Sequence, residues 1–193
     1  MKKLRLLILL TASMMFASCA MKSGYYTQKN GKWTFVSKNI GFSNYFSNPR
    51  VDDSNFNYKD SGKFRWPVPS SKRISSYFGP RHGRHHDGVD IAAKRGSSIL
   101  ASASGKVKFV GRMRGYGNVI VLTHPGSYHT VYAHNSRNLV RKGQSVSQGE
   151  VIGKVGSTGR SSGPHLHFEI RKNNRVANPG KYLEWMKRVS KRR

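Results

Sequence analysis

Cysteine is nearly absent from this sequence. Cys19 is the one cysteine in 193 residues. No disulfide can close within the chain, so the core must hold by packing, and a cysteine-rich structural metal centre is excluded. Acidic residues are also scarce, 8 Asp and Glu against 35 Lys and Arg, giving a formal charge of +27. Such a field draws polyanions: nucleic acid, phospholipid surfaces, lipopolysaccharide or teichoic acids. In so basic a chain, each carboxylate needs a specific reason to be present. Long apolar runs are missing too. The mostly apolar stretch 6–16 has 11 residues, too few for an ordinary membrane-spanning helix. There is no His-Glu-x-x-His pattern, which excludes a thermolysin-like arrangement of metal ligands on a helix.

What the N-terminus does have is Met1-Lys2-Lys3-Leu4-Arg5 ahead of that apolar stretch. A short basic region before a short apolar one is the pattern of a secretory signal peptide. Phe16-Ala17-Ser18-Cys19 resembles a bacterial lipobox, in which the cysteine becomes the first mature residue and carries lipid. Cleavage after Ala20 is the other reading. Removing residues 1–18 takes away Lys2, Lys3 and Arg5 and lowers the charge from +27 to +24. For an exported chain the expected partner of that charge is an anionic envelope surface, and nucleic acid is not expected.

Residues 19–64 read as a β-hairpin and a linker. Asn30-Gly31 between Tyr25-Tyr26-Thr27-Gln28 and Trp33-Thr34-Phe35-Val36 supplies the two positive-φ residues of a type I′ turn. From Ser37 to Gly62 the chain is rich in Asn, Ser and Asp, as expected of a linker long enough to reach across a binding groove. From residue 65 to 182 short β-rich runs recur, at 105–110, 118–122, 130–133, 151–155 and 166–170. Short strands separated by glycine-bearing turns predict an all-β, antiparallel sandwich or barrel. Residues 179–193 predict a short C-terminal helix, whose basic tail, 183–193, either docks on the sheet or meets the envelope.

Eight histidines occur. In His86-Asp87-Gly88-Val89-Asp90, a strand would put His86 and Asp90 on one side. Imidazole nitrogen and carboxylate oxygen both bind zinc, and a metal would pair an acidic residue entering the core. In His165-Leu166-His167-Phe168-Glu169-Ile170, two imidazoles and a carboxylate alternate with three apolar residues. One face of that strand is expected in the core and the other over a site. Glu169 either orients a ligand or is an ordinary exposed carboxylate. His82 and His85 belong to a basic loop, and His124 and His129 flank a turn; neither pair is given a metal role. Tyr132 either shares the face of His134 or is a plain strand aromatic.

The ordered set His86-x-x-x-Asp90, Tyr132-Ala133-His134 and His165-Leu166-His167 resembles the motifs of the lysostaphin/LytM-type zinc endopeptidases of peptidoglycan. Tyr77-Phe78-Gly79-Pro80-Arg81 and Gly156–Pro164 agree with it. The resemblance covers residues 65–182. It implies the antiparallel β-sandwich groove of those peptidases, with one zinc per chain held by His86, Asp90 and His167. It also implies that His134 and His165 are the catalytic pair. Hydrolysis of peptidoglycan cross-links by a zinc-activated water would follow, with a histidine taking the water's proton and passing it to the leaving amine. Some family members are non-catalytic activators of wall amidases, and usually lack some of these five residues; all five are present here. The expected location is the cell envelope, with a lipid anchor at Cys19 on the periplasmic side of the outer membrane.

Overall fold

The computed structural model describes residues 24–29, 32–37, 64–81, 83–184 and 186. The signal segment, Cys19, the linker after Ser37, His82 and most of the expected C-terminal helix lie outside them. The chain divides into two compact units, residues 1–43 and 44–193.

In the first unit, β1 (Gly24–Lys29) and β2 (Lys32–Ser37) pair antiparallel. Lys29 faces Lys32 at the end of the pairing; Asn30 and Gly31, the expected turn, lie outside the described residues.

The second unit is built almost wholly of antiparallel strands. In chain order these are β3 (Ile74–Ser76), β4 (Gly79–Arg81), β5 (Arg84–His86), β6 (Val89–Ala92), β7 (Ser98–Leu100), β8 (Gly105–Met113) and β9 (Gly117–His124). Then follow β10 (Tyr128–Asn135), β11 (Arg137–Asn138), β12 (Ser145–Val146), β13 (Val151–Lys154), β14 (His165–Lys172) and β15 (Arg175–Ala177). The main sheet runs β12-β8-β9-β10-β14-β6-β3, with β15 also on β14; β11-β13-β7 forms a second sheet, and β4-β5 a separate hairpin. A 3-10 turn, Pro179–Lys181, is capped by the Asn178 side chain accepting from the Gly180 amide, and Glu184 and Met186 beyond it are α-helical. No helix of the described residues is long and apolar enough to cross a membrane.

The core follows from strand alternation. Leu166, Phe168 and Ile170 of β14 are fully buried, as expected of its apolar face. They join Val89, Ile91, Ile120 and Leu122 of the main sheet and Ile99 and Ile152 of the second sheet in one cluster. Tyr132 belongs here as well. It is fully buried, its ring lies 5.3 Å from that of Phe168, and its hydroxyl accepts the Ser102 amide at 2.8 Å. It is a core aromatic and does not line a groove.

A buried histidine extends this core. His124 donates from Nδ1 to the Ser104 carbonyl at 2.8 Å, and its Nε2 lies 2.7 Å from Thr130 Oγ1. Burial, partly offset by the bond to Ser104, holds the ring down at about 4. Its folded value is below its unfolded one, so its contribution is complete above about pH 6.5 and is lost as the pH falls towards 4. The cost is about 3 kcal/mol for this one group. His129 and His134, also held low first by burial, act in the same direction. Urea midpoints of the zinc-free protein are expected to drop between pH 7 and pH 4.5; a flat profile would contradict this account.

Candidate metal centre

The site lies over the outer face of β14, in an open cleft of about 310 Å³ lined by His86, Asp90, Tyr116, His134, His165 and His167, with Arg81 and Arg160 among the residues around them. The strand presents His167 and Glu169 on the face opposite its core residues. Pairing carries β6 alongside, with His167 opposite Asp90, and β10 on the other side, with Ala133 opposite His167. Opposed residues of an antiparallel pair share a face, so Asp90 and His167 meet by register alone.

His86 arrives by a different route from the one its spacing suggests. It ends β5, while Asp90 is in β6, and the two strands belong to different sheets. A turn at Asp87-Gly88 brings the residues together, in place of a single strand. Gly88 makes that turn feasible: a Cβ there would stand 2.4 Å from the Phe168 carbonyl oxygen and 3.0 Å from the His167 ring. Gly88→Ala is therefore expected to push the turn off β14 and weaken metal binding at least about tenfold, the scale of a displaced supporting group. Chelator competition would measure it, and wild-type affinity would refute it.

The ligand atoms of His86, Asp90 and His167 all lie within 4.8 Å of one another. His86 Nε2 is 3.1 Å from Asp90 Oδ1 and 3.1 Å from His167 Nδ1, and His167 Nδ1 is 2.9 Å from Asp90 Oδ1. Their outer contacts fix the tautomers. His86 Nδ1 donates to the Tyr77 carbonyl at 2.7 Å, and His167 Nε2 donates to Glu169 Oε1 at 3.0 Å. With both rings neutral, as metal binding requires, the inward nitrogens are lone pairs facing a carboxylate oxygen. Three acceptors converge with no donor among them, an arrangement that a cation satisfies. Two imidazoles and one carboxylate suit zinc in a site that keeps a position for water.

With no cation bound, the same crowding draws in a proton. Burial lowers His167, but its bonds to Asp90 and Glu169 outweigh that and lift it to about 9. Burial raises Asp90, and its bonds to His167 and His86 overcome this and hold it far below the usual carboxylate range. Glu169 is fully buried, which resolves the choice left open by the sequence. It sits directly behind His167, and Tyr116 Oη donates to its Oε1 at 2.6 Å.

His134 reaches the cleft only through an irregularity. Strict alternation along β10 would give it the same face as Tyr132, in the core. The register with β9 shifts between Tyr132 and Asn135, and His134 takes a left-handed backbone, φ 65. This β-bulge swings the side chain to the site face. Two bonds hold it there, its amide to the Tyr116 carbonyl at 2.9 Å and its Nδ1 to the Thr158 carbonyl at 2.7 Å. Burial, together with His165 and His167, keeps His134 at about 4, so it is a neutral acceptor at neutral pH. His165 donates from Nδ1 to the Gly163 carbonyl at 2.8 Å, and its Nε2 is 3.7 Å from Asp90 Oδ1. The two rings are 4.7 Å apart. Two proton-accepting imidazoles thus stand beside the three-acceptor set. His85 turns to Asp87, 3.0 Å away, and lies at the rim. Arg160 lines the same cleft, whereas Arg81 is engaged within it, its Nη1 donating to Ser76 Oγ at 2.7 Å and lying 3.5 Å from Asp90 Oδ2.

Sequence reasoning missed Tyr116 and Arg171. Tyr116 lies between β8 and β9 with no periodicity to mark it. For Arg171 the available signal is its place two residues after Glu169, on the same strand face.

The profile of Peptidase family M23 matches residues 84–179. DD-carboxypeptidase/endopeptidase Mpg of Neisseria meningitidis is 49% identical over 113 residues, 55% of this chain and 26% of that protein. Murein hydrolase activator NlpD of Escherichia coli is 43% identical over 119 residues, 61% of this chain and 31% of that protein. The chain thus spans between a quarter and a third of these two curated relatives. The catalytic domain of the antimicrobial peptidase lysostaphin from Staphylococcus simulans superposes with a TM-score of 0.54 at 33% identity, covering 60% of this chain and 92% of that domain.

Proposed function

Since the chain belongs to peptidase family M23, we propose that it is a zinc-dependent endopeptidase that hydrolyses peptide cross-links of bacterial peptidoglycan. The observation that carries this reading is the convergence of three acceptors, His86 Nε2, Asp90 Oδ1 and His167 Nδ1, beside two further imidazoles. Zinc bound by them would supply a Lewis acid and a water acidified towards a pKa of about 7. His134 and His165, each with Nδ1 tied to a carbonyl, offer Nε2 to take a proton from water and return it to the leaving amine. Arg160, which lines the cleft, offers a guanidinium to the peptide's carboxylates. The names of Mpg and NlpD support an envelope location and a wall substrate. The surplus of basic residues suits anionic envelope surfaces. Anchoring through a lipid on Cys19 is part of the same proposal.

The likeness to NlpD favours a second reading, a wall-binding activator of an amidase that cuts nothing itself. One experiment separates the two. Purified mature protein, loaded with zinc, is incubated with isolated sacculi and with defined muropeptides, and the products are read by mass spectrometry. The peptidase reading expects released peptides with a newly formed amine and carboxylate at one cross-link, and names the bond. No release, with stimulation of an added amidase, would replace it by the activator reading.

A further inference from the structure

One strand face carries more than ligands. On β14 the residues His167, Glu169 and Arg171 follow at every second position, opposite Ala133, Val131 and His129 of β10. Glu169 is fully exposed to protein and not at all to water. A carboxylate in that setting is costly unless both oxygens are engaged. Oε1 accepts from His167 Nε2 and from Tyr116 Oη, and Oε2 accepts from Arg171 Nε at 2.7 Å. Arg171 is itself 7% exposed. Its Nη2 lies 3.8 Å from Oδ2 of Asp87, the residue in the turn between His86 and Asp90. One planar guanidinium therefore touches both ligand-bearing parts of the chain: the carboxylate behind His167, and the turn that carries the other two ligands.

We propose that Arg171 is a positioning residue of the metal centre, a clamp that holds Glu169 against His167 and ties β14 to the turn between His86 and Asp90. The inference rests on the metal-site reading given above. Arginine suits the task because its fork can serve two carboxylates at once, whereas a lysine ammonium is a single point of charge. Without the clamp, Glu169 keeps two of its donors but loses the one that fixes Oε2, so the His167 ring loses its firm backing. The turn at Asp87 is released from β14 as well. Loss of such a supporting group typically weakens metal binding by about 10–100-fold.

The test measures zinc affinity of the full mature chain by competition with a fluorescent chelator at pH 7.5, with the absorption spectrum of the cobalt-loaded protein as a report on ligand geometry. Arg171→Gln is expected to bind zinc about 10–100-fold more weakly and to alter the cobalt spectrum. Arg171→Lys should fall between it and wild type. Asp87→Asn, at a half-exposed position, should lose a smaller part, and its effect should vanish in the Arg171→Gln background. If Arg171→Gln does not fold, Arg171→Lys and Asp87→Asn decide the matter, and wild-type zinc affinity in both overturns the clamp. A folded Arg171→Gln protein with wild-type affinity and spectrum overturns it directly. A wild-type chain that binds no zinc sinks the metal-site reading and this inference with it, whereas tight wild-type binding unaffected by these variants sinks only the inference.

Discussion

His167→Ala is expected to abolish stoichiometric zinc binding and, with it, all measurable hydrolysis of wall peptides. The substitution removes one of three converging acceptors and leaves His86 Nε2 and Asp90 Oδ1 alone, fewer protein ligands than a catalytic zinc site ordinarily keeps. It also strips Glu169 of one of its buried donors. Zinc content after dialysis and peptide release from sacculi measure the two losses together. A His167→Ala protein that retained one zinc per chain would refute the ligand assignment. The same ring sets the pH dependence of loading. In the metal-free protein, burial is outweighed by Asp90 and Glu169, and the ring stays protonated up to about pH 9. Zinc must displace that proton, so affinity falls as the pH drops below about 9, and binding at pH 7.5 releases about one proton per zinc. Calorimetry in two buffers of different ionisation heat counts the protons; zero release would show that the ring is already neutral.

His165→Ala is expected to do the opposite to the metal and nearly the same to the reaction. The three converging acceptors do not include His165, and its tie to the Gly163 carbonyl is local. Zinc should remain at one per chain with unchanged affinity. What goes is an imidazole whose Nε2 stands 3.7 Å from Asp90 Oδ1, at the edge of the centre. Loss of a positioned proton-transfer group lowers kcat by about 10²–10⁴, with KM little altered because Arg160 in the cleft is untouched. The contrast between the pair is the informative result, with metal and activity lost together at His167 and activity lost alone at His165. A His165→Ala protein that digested sacculi at the wild-type rate would refute the catalytic assignment.

Much of this site was legible in the chain itself. Alternation of apolar and polar residues along 165–170 correctly announced a strand with Leu166, Phe168 and Ile170 in the core, because a strand repeats every two residues. The β-rich runs on either side of Asn30-Gly31 announced the pairing of β1 with β2. The scarcity of acidic residues made Asp90 stand out, and it is buried at the candidate metal centre, whereas Glu169, left open between a ligand's support and an exposed carboxylate, is fully buried. Period-two reasoning failed where the period is broken. His134 escapes the face of Tyr132 through a bulge, and His86 and Asp90 lie on separate strands joined by a turn that only a glycine permits.

The sequence by itself determined the chemistry on offer: imidazoles and carboxylates in a basic chain with one cysteine, on strands whose alternation had to turn some of them away from the core. Tertiary structure decided which of them meet. Register between β14 and β6 sets Asp90 opposite His167, a bulge delivers His134, and a buried guanidinium joins Glu169 to Asp87. The physical reason is one of range. Side-chain direction along a strand is a local property of the backbone, whereas the meeting of residues 77 positions apart, as Asp90 and His167 are, depends on strand pairing that no short pattern encodes.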